Sequence, residues 1–458
     1  MNKKVQDWQE LKFGMFIHFG LYSLAGGVWK GNKITRGYSE QILSHGYLPQ
    51  REYELLAPQF SIENFDADNI VALAKEAGMQ YLVITAKHHD GFCLFDTKTT
   101  EYKSSNTPCK KDIIRALSDA CKKQGLGFGL YYSWIDWHFP QALPISAHNS
   151  DPIPREHQDY NIAQLTELLG SYGPICELWM DMGAPTKEQS EEVYALVQRL
   201  QSQCMVNGRI WNDCGDFLTM GDNKLPTVIL DVPWQTPASI YHETWGYRSW
   251  QERGELPKKI VELSNTLRRV VSEGGNYLLN IGLRGDGSIE GFEQEVLRGI
   301  GASLQKQPLE RDTKKDPPQT IIIKESPQIL PPGTLSYRYS GAEYYSYRPI
   351  PTSLSWTVEI PESKKEDKGQ SCYEIRWCAK EPLTEELKLC FVMEEESFCF
   401  SLQRERSEDP VFSSVNIVPG LHTISLHTVG DPITRPELKN IDLSLKITRI
   451  QGVKQYED

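Results

Sequence analysis

Apolar segments that end abruptly in polar residues constrain the fold of this chain most, because they predict strands with functional groups at one end. The clearest segment begins at Tyr81 as a β-rich run and ends in Lys87, His88, His89 and Asp90. Successive side chains of a strand point to opposite faces, so adjacent histidines do not suit a continued strand interior. We therefore expect a strand that ends at the opening of a site.

The same pattern recurs in four other segments, at residues 13–20, 126–138, 177–181 and 205–209. The spacing between them leaves room for helices, which the apolar periodicity predicts at residues 65–78 and 112–125, each ending in glycine. Strands whose polar residues gather at their C-terminal ends are typical of a (β/α)8 barrel. The predicted fold class is therefore α/β, with a (β/α)8-like (TIM-type) barrel.

Charge and composition exclude several functional classes. The net charge is −12 and no long run of Lys or Arg occurs, which argues against a nucleic-acid partner. No apolar segment is long enough to predict a membrane span. The ten cysteines lack zinc-type CxxC pairs, and we expect them to be mostly reduced. The sequence predicts a cytoplasmic protein as written, or a periplasmic or secreted one if a signal peptide was removed.

The composition changes near residue 307, which predicts a domain boundary. Residues 307–318 are charged and rich in proline, as expected of a linker. Beyond them come short alternating apolar runs separated by Pro, Gly and acidic clusters, which are typical of an antiparallel β-sandwich. We predict a barrel over residues 1–306, a linker over 307–318 and a C-terminal β-sandwich domain over 319–458.

Six motifs in order resemble those of glycoside hydrolase family 29, the retaining α-L-fucosidases. They lie at residues 13–20, 87–92, 131–138, 178–181, 245–247 and 274–282. The resemblance covers roughly residues 8 to 305. It implies an exo-acting retaining hydrolase that removes terminal α-L-fucose from a fucosylated oligosaccharide or glycoconjugate, with no cofactor.

The resemblance also implies roles for individual residues. Asp181 ends an apolar strand, where a lone carboxylate is costly unless it is used or paired, and it matches the family's nucleophile. Adjacent histidines do not place both rings on one face, so we expect no metal site at His88 and His89. The residues expected to bind the sugar are His18, His88, His89, Tyr132, Trp179, Arg209 and Trp234.

The acid/base residue is where this chain departs from the family pattern. Many members have a Trp-Glu pair ten residues before the Trp-Gly-Tyr motif, and the corresponding residues here are Trp234 and Gln235. An amide cannot donate a proton and take it back. The candidates, in order of preference, are Glu243, Glu40 and Asp222.

Two alternatives follow from that departure. A chain that keeps its sugar-binding residues but lacks the acid could be a fucose-binding protein or a degenerate family member with weak hydrolysis. A galactosidase-like retaining exo-glycosidase is the other alternative, because L-fucose and D-galactose share much of their hydroxyl arrangement. The sequence predicts no oligomeric state.

Overall fold

The computed structural model describes residues 3–140, 151–226 and 232–311 with their side chains, and the backbone of strands between residues 328 and 449. The chain divides into two compact units. The first contains Met1–Leu225 and Val232–Arg311, and the second contains Pro226–Asp231 and Asp312–Asp458.

The first unit is built on a parallel sheet of eight strands. The described strands of this unit, inside and outside that sheet, are in chain order β1 Phe13–His18, β2 Val28–Trp29, β3 Asn32–Lys33, β4 Tyr81–Lys87, β5 Gly127–Ser133, β6 Glu177–Asp181, β7 Met205–Val206, β8 Leu218–Thr219, β9 Trp234–Ser239 and β10 Asn276–Gly282. Strands β2 and β3 form a separate antiparallel pair. The other eight lie in the order β7-β6-β5-β4-β1-β10-β9-β8, and a parallel bridge joins Asn207 to Phe217 beside the two edge strands. This sheet fits a (β/α)8-type barrel.

Helices follow most of the sheet strands. They are α1 Lys3–Gln9, α2 Leu21–Ala25, α3 Ile42–His45, α4 Gln50–Glu54, α5 Ala67–Glu76, α6 Ile113–Gln124, α7 Arg155–Ser171, α8 Lys187–Leu200, α9 Leu256–Ser272 and α10 Gly291–Lys306. No described helix is long and apolar enough to cross a membrane.

Local capping explains where the two predicted helices begin and end. The Asp66 carboxylate accepts a hydrogen bond from the Asn69 amide and starts α5. The Asp112 carboxylate does the same for the Arg115 amide at the start of α6. Helix α6 stops at Gly125, whose φ of 71° lies in the left-handed region that favours glycine. Both helices therefore lie within the predicted segments.

The interior of the sheet is filled by large aromatic and aliphatic side chains. One buried cluster contains Trp8, Phe16, Tyr81, Val83, Tyr131, Trp179, Met205, Phe217, Trp245 and Leu278. Its members come from α1, from sheet strands and from the segments between them. Because the parallel strands share one direction, their C-terminal residues meet at one edge of the sheet above this cluster.

The second unit consists of antiparallel strands. They are β11 Gln328–Leu330, β12 Tyr337–Ser340, β13 Glu343–Ser346, β14 Ser353–Ile360, β15 Ser371–Ala379, β16 Leu387–Met393, β17 Glu396–Leu402, β18 Val411–Ile417, β19 Gly420–Thr428 and β20 Leu443–Arg449. They form sheets of five, three and two strands. The predicted sandwich packing and domain bounds stay predictions, and residues 312–318 of the predicted linker lie outside the described residues.

Candidate active site

Asp181 is the last residue of β6 and lies at the C-terminal edge of the sheet. Its Oδ1 accepts a hydrogen bond from Arg209 Nη1 at 2.8 Å, and its Oδ2 accepts one from the Tyr131 hydroxyl, also at 2.8 Å. The side chain is 13% exposed. A largely buried carboxylate is therefore fixed at both oxygens and still faces solvent.

The surroundings keep Asp181 ionised. Burial by itself raises the pKa of a carboxyl group, but attraction to Arg209 and the hydrogen bonds from Arg209 and Tyr131 outweigh it. The pKa of Asp181 is consequently lowered from its ordinary value of 3.8. The group is an anion at neutral pH, as a carboxylate nucleophile must be.

Arg209 connects Asp181 to a second carboxylate. It lies just after β7, and its Nη2 binds Asp222 Oδ1 at 2.5 Å. Its guanidinium carbon lies 4.9 Å from the centre of the Trp179 ring, over the ring face. Asp222 is about one third exposed, at 32% of its side chain. Arg209 thus brings two carboxyl groups to the same edge of the sheet.

His18 ends β1 and is fixed by a neighbouring strand. Its Nδ1 lies 2.7 Å from Asn280 Oδ1, while Asn280 Nδ2 donates to the Trp245 carbonyl at 2.7 Å. The amide oxygen can only accept, so His18 Nδ1 carries the proton and Nε2 is left as an acceptor. Burial lowers the pKa of His18 from 6.5 to about 3, against the hydrogen bond to Asn280, and the ring is neutral at pH 7.

His88 and His89 follow β4 and lie beside His18 and Tyr131. The ring centres of His88 and His18 are 5.6 Å apart, and the His88 ring stacks on Tyr131 at 5.5 Å. Ser133 Oγ donates to the Ile135 carbonyl and therefore accepts from His89 Nδ1 at 2.7 Å.

Burial also sets the charge of this histidine pair. It lowers the pKa of His89 to about 4 and that of His88 well below 6.5. Neutral imidazoles present one donor and one acceptor each, which suits hydroxyl groups. In the described part of the chain, no cluster of three or more His, Cys, Asp or Glu could hold a metal ion.

The structure brings Tyr131, and not the predicted Tyr132, to Asp181. Neighbouring residues of β5 point to opposite faces, and register pairs Tyr131 with Trp179 on β6. The Tyr132 hydroxyl instead bonds Asn161 and Gln164 of α7, at 2.9 and 2.7 Å. The expectation for Tyr132 is corrected because its ring lies between the sheet and the helices.

Trp234 is also placed away from Asp181. It is the first residue of β9, at the N-terminal end of the strand, and is fully buried. A Cβ on Gly275 would lie 2.5 Å from the Trp234 ring, so glycine makes room for it there. The next residue, Gln235, is fully buried as well and bonds Trp179. The position that matches the family's Trp-Glu pair therefore lies inside the sheet and not at its open edge.

The acid/base candidates occupy different surroundings. Glu243 is exposed and bonds Gln251 at 3.2 Å. Glu40 is only 2% exposed, and its Oε2 accepts from the Trp245 and Gly246 amides at 3.1 and 2.7 Å. Burial raises the pKa of Glu40 to about 7 against those hydrogen bonds. Among the three candidates, Asp222 is bound to the same guanidinium group as Asp181.

Sequence reasoning did not assign Tyr131, Asn280 or Trp245 to the site, although all three lie inside motifs that it identified. Asn280 fixes His18, and the Trp245 ring lies 5.4 Å from the His18 ring. Asn280 had a detectable signal, because its amide interrupts the apolar run of β10, and the register pairs it with Phe16, two residues before His18 on β1.

Known proteins resemble this chain in sequence and in structure. The alpha-L-fucosidase family matches residues 1–308. The structure of alpha-L-fucosidase AlfC from Lactobacillus casei in complex with alpha-L-fucose product is 34% identical, covers 67% of this chain and 99% of that chain, and has a TM-score of 0.59. An AlfC variant has also been solved in complex with Fuca(1,6)GlcNAc.

Two further relatives extend the comparison. Alpha-L-fucosidase isoenzyme 1 from Paenibacillus thiaminolyticus is 25% identical, with 98% of this chain and 99% of that chain covered and a TM-score of 0.58. The plasma alpha-L-fucosidase of Homo sapiens is 31% identical over 326 residues, which are 66% of this chain and 68% of that protein.

Proposed function

The chain belongs to the alpha-L-fucosidase family, glycoside hydrolase family 29, and we propose that it removes terminal α-L-fucose from fucosylated glycans by a retaining double displacement. As a member of this family it is a glycoside hydrolase. The observation that carries the proposed mechanism is the ionised Asp181, fixed by Arg209 and Tyr131 beside three neutral histidines.

Asp181 is the nucleophile of this proposal. Its carboxylate attacks the anomeric carbon, the bond to the leaving oxygen breaks, and an inverted fucosyl ester forms while an acid protonates the leaving group. The conjugate base then takes a proton from water, whose oxygen attacks the same carbon and releases the carboxylate. Two inversions give fucose with its original configuration.

Asp222 is the acid/base group that the geometry favours. Retaining glycosidases require two carboxyl groups about 5–5.5 Å apart. Arg209 Nη1 binds Asp181 at 2.8 Å and Arg209 Nη2 binds Asp222 at 2.5 Å, so one guanidinium group links the two carboxylates. One third of the Asp222 side chain is exposed, so it can reach a leaving group that extends into solvent.

Glu40 is the second candidate because its pKa of about 7 suits proton transfer near neutral pH. Against it, the backbone amides of Trp245 and Gly246 occupy its Oε2. Glu243, the first candidate from the sequence, is exposed and bonds Gln251. We therefore rank it below Asp222 and Glu40 as the acid/base group.

The histidines supply the sugar contacts in this proposal. His18 and His89 each have Nδ1 bonded within the protein, which leaves Nε2 as an acceptor for a sugar hydroxyl. The buried His88 Nδ1 has no partner in the described structure, so a hydroxyl could satisfy it. Trp179, which was also expected to contact the sugar, is 2% exposed and lies under Arg209. Fucosylated substrates are supported by the AlfC complex with Fuca(1,6)GlcNAc.

A comparison of two aryl glycosides tests the proposed activity. The wild-type protein should release nitrophenol from 4-nitrophenyl α-L-fucoside and not from the β-D-galactoside, and proton NMR should show α-L-fucose as the first product. Release from the galactoside alone would favour the galactosidase-like alternative. Saturable fucose binding without release from either substrate would favour a binding protein.

The acid/base assignment is tested with matched amide variants. Asp222→Asn should slow substrates with poor leaving groups, such as Fuca(1,6)GlcNAc, far more than an activated aryl fucoside, because only the former need protonation to depart. Glu40→Gln and Glu243→Gln are the comparisons. If Glu40→Gln alone shows this leaving-group dependence, Glu40 is the acid/base and Asp222 is not.

A further inference from the structure

A chain of buried hydrogen bonds lies beneath Trp179, inside the sheet. Trp179 Nε1 donates to Gln235 Oε1 at 2.7 Å, and Gln235 Nε2 donates to the Tyr81 hydroxyl oxygen and to both oxygens of Glu177, each at 2.9 Å. Trp8 Nε1 of α1 donates to Glu177 Oε2 at 2.7 Å. All five side chains are at most 3% exposed.

Hydrogen-bonding capacity fixes the orientation of Gln235. An indole nitrogen can only donate, so the amide oxygen must face Trp179 and the amide nitrogen must face Glu177 and Tyr81. The carboxylate can only accept, which matches the donors of Gln235 and Trp8. Neither an apolar residue nor a second carboxylate at position 235 completes this set of partners.

The indole that Gln235 holds supports the proposed nucleophile. Arg209 lies over the Trp179 ring at 4.9 Å, and Phe16 packs edge-on against that ring at 5.2 Å. Arg209 in turn binds Asp181 at 2.8 Å. The orientation of the Trp179 ring therefore sets the surface on which the guanidinium group lies.

We propose that Gln235 is a positioning residue, which holds the Trp179 ring through one hydrogen bond and thereby keeps Arg209 and Asp181 in their reactive arrangement. The inference rests on the proposed hydrolysis at Asp181. It gives the buried amide at position 235 a role inside the sheet.

A titratable neighbour makes the proposal specific. Burial raises the pKa of Glu177 to about 7, against the hydrogen bonds from Gln235 and Trp8. Gln235→Glu would place a second carboxyl group at hydrogen-bond distance, and two such groups share one proton until the pH is high enough to remove it. The variant should keep the contact with Trp179 at low pH and lose it as the pair becomes doubly charged.

Other titratable groups face this pair without changing the expectation. Burial raises the pKa values of Tyr81 and Cys176 well above their ordinary ones, with Glu177 adding to both. Burial also raises the pKa of Cys204. The charge of Lys4 lowers this pKa, and the charge of Glu177 raises it further. These phenol and thiol groups stay neutral between pH 5 and 9, so the carboxyl pair alone among them changes charge over that range.

Three variants of the full chain test the inference. Gln235→Leu should lower kcat/KM for 4-nitrophenyl α-L-fucoside at least tenfold at every pH. Gln235→Glu should lie within threefold of wild type at pH 5.5 and fall at least tenfold below it at pH 8.5. The double variant Glu177→Gln, Gln235→Glu restores one amide and one carboxylate, and it should recover most of the loss at pH 8.5.

A second measurement reports on Trp179 without activity. The indole N–H resonance of Trp179, assigned by its loss in Trp179→Phe, should exchange with solvent at least tenfold faster in Gln235→Leu than in wild type. Folded Gln235→Leu with kcat and KM within twofold of wild type would overturn the inference, as would a double variant that recovers nothing. If wild type is inactive on fucosides, the indole exchange still decides whether Gln235 holds Trp179, and only the proposed hydrolysis fails.

Discussion

The hydroxyl of Tyr131 should matter most in the second half of the reaction. Tyr131→Phe removes the 2.8 Å hydrogen bond to Asp181 Oδ2 and leaves the ring in place. A hydrogen bond to a charged group contributes about 1.5–3 kcal/mol. The carboxylate regains only part of its charge in the transition state for ester hydrolysis, so about 1–2 kcal/mol is lost there, a slowing of roughly fivefold to thirtyfold.

The expected kinetics separate this effect from misfolding. If ester hydrolysis becomes slow, kcat and KM for 4-nitrophenyl α-L-fucoside fall together, and stopped-flow should show a burst of nitrophenol equal to the enzyme concentration. The pKa of Asp181 is lowered in part by this donor. Its removal raises that pKa, so the acidic limb of kcat/KM should move to higher pH.

The adjacent residue provides a matched control. Tyr132→Phe removes hydrogen bonds to Asn161 and Gln164 of α7, so it should lower the unfolding temperature and leave kcat and KM within twofold of wild type. A folded Tyr131→Phe with wild-type kcat and no burst would refute the reasoning. So would an equal fall of kcat in both variants.

Two further outcomes are expected. His88→Ala and His89→Ala should each raise KM and lower kcat for an aryl fucoside. EDTA should leave the activity of wild type unchanged. Loss of activity on chelation, restored by Zn²⁺ or Mn²⁺, would show that the pair binds metal. Burial raises the pKa values of Glu40 and Asp90 to about 7, so the stability that their protonated forms contribute is present below pH 4 and is lost as the pH rises through 7. The lowered pKa values of His18, His88 and His89 act in the opposite sense over the same interval, so comparison with Glu40→Gln isolates the effect. By differential scanning fluorimetry, the unfolding temperature of wild type minus that of Glu40→Gln should be lower at pH 8 than at pH 5.5. A difference that stays constant or rises would contradict the raised pKa of Glu40.

Local signals in the sequence predicted the strands and helices that carry the site. The strand that ends at Lys87 and the helices that begin after Asp66 and Asp112 depend on nearby residues, because β-richness, capping carboxylates and stop glycines act over a few positions. Asp181 was placed at a strand end by the same kind of reasoning. The family resemblance supplied the three histidines that we propose bind the sugar.

The sequence is least informative where position depends on which face of a strand a residue occupies. Residues 126–132 are apolar or small throughout, so alternation does not show whether Tyr131 or Tyr132 faces inward. Gln235 stands where the family pattern has a Glu, and its strand places it in the interior. Glu243 and Asp222 lie on segments after strands, where the path of the backbone decides which carboxyl group approaches Arg209.

The central claim, that Asp181 is the nucleophile, is tested most directly by replacing it and supplying an external nucleophile. Asp181→Gly should lower turnover of 4-nitrophenyl α-L-fucoside at least about a thousandfold, which corresponds to about 4 kcal/mol of barrier. Azide should restore part of that activity, and NMR should identify the product as β-L-fucosyl azide, formed by a single inversion. Near wild-type turnover without azide, or α-L-fucosyl azide as the rescued product, would contradict the account.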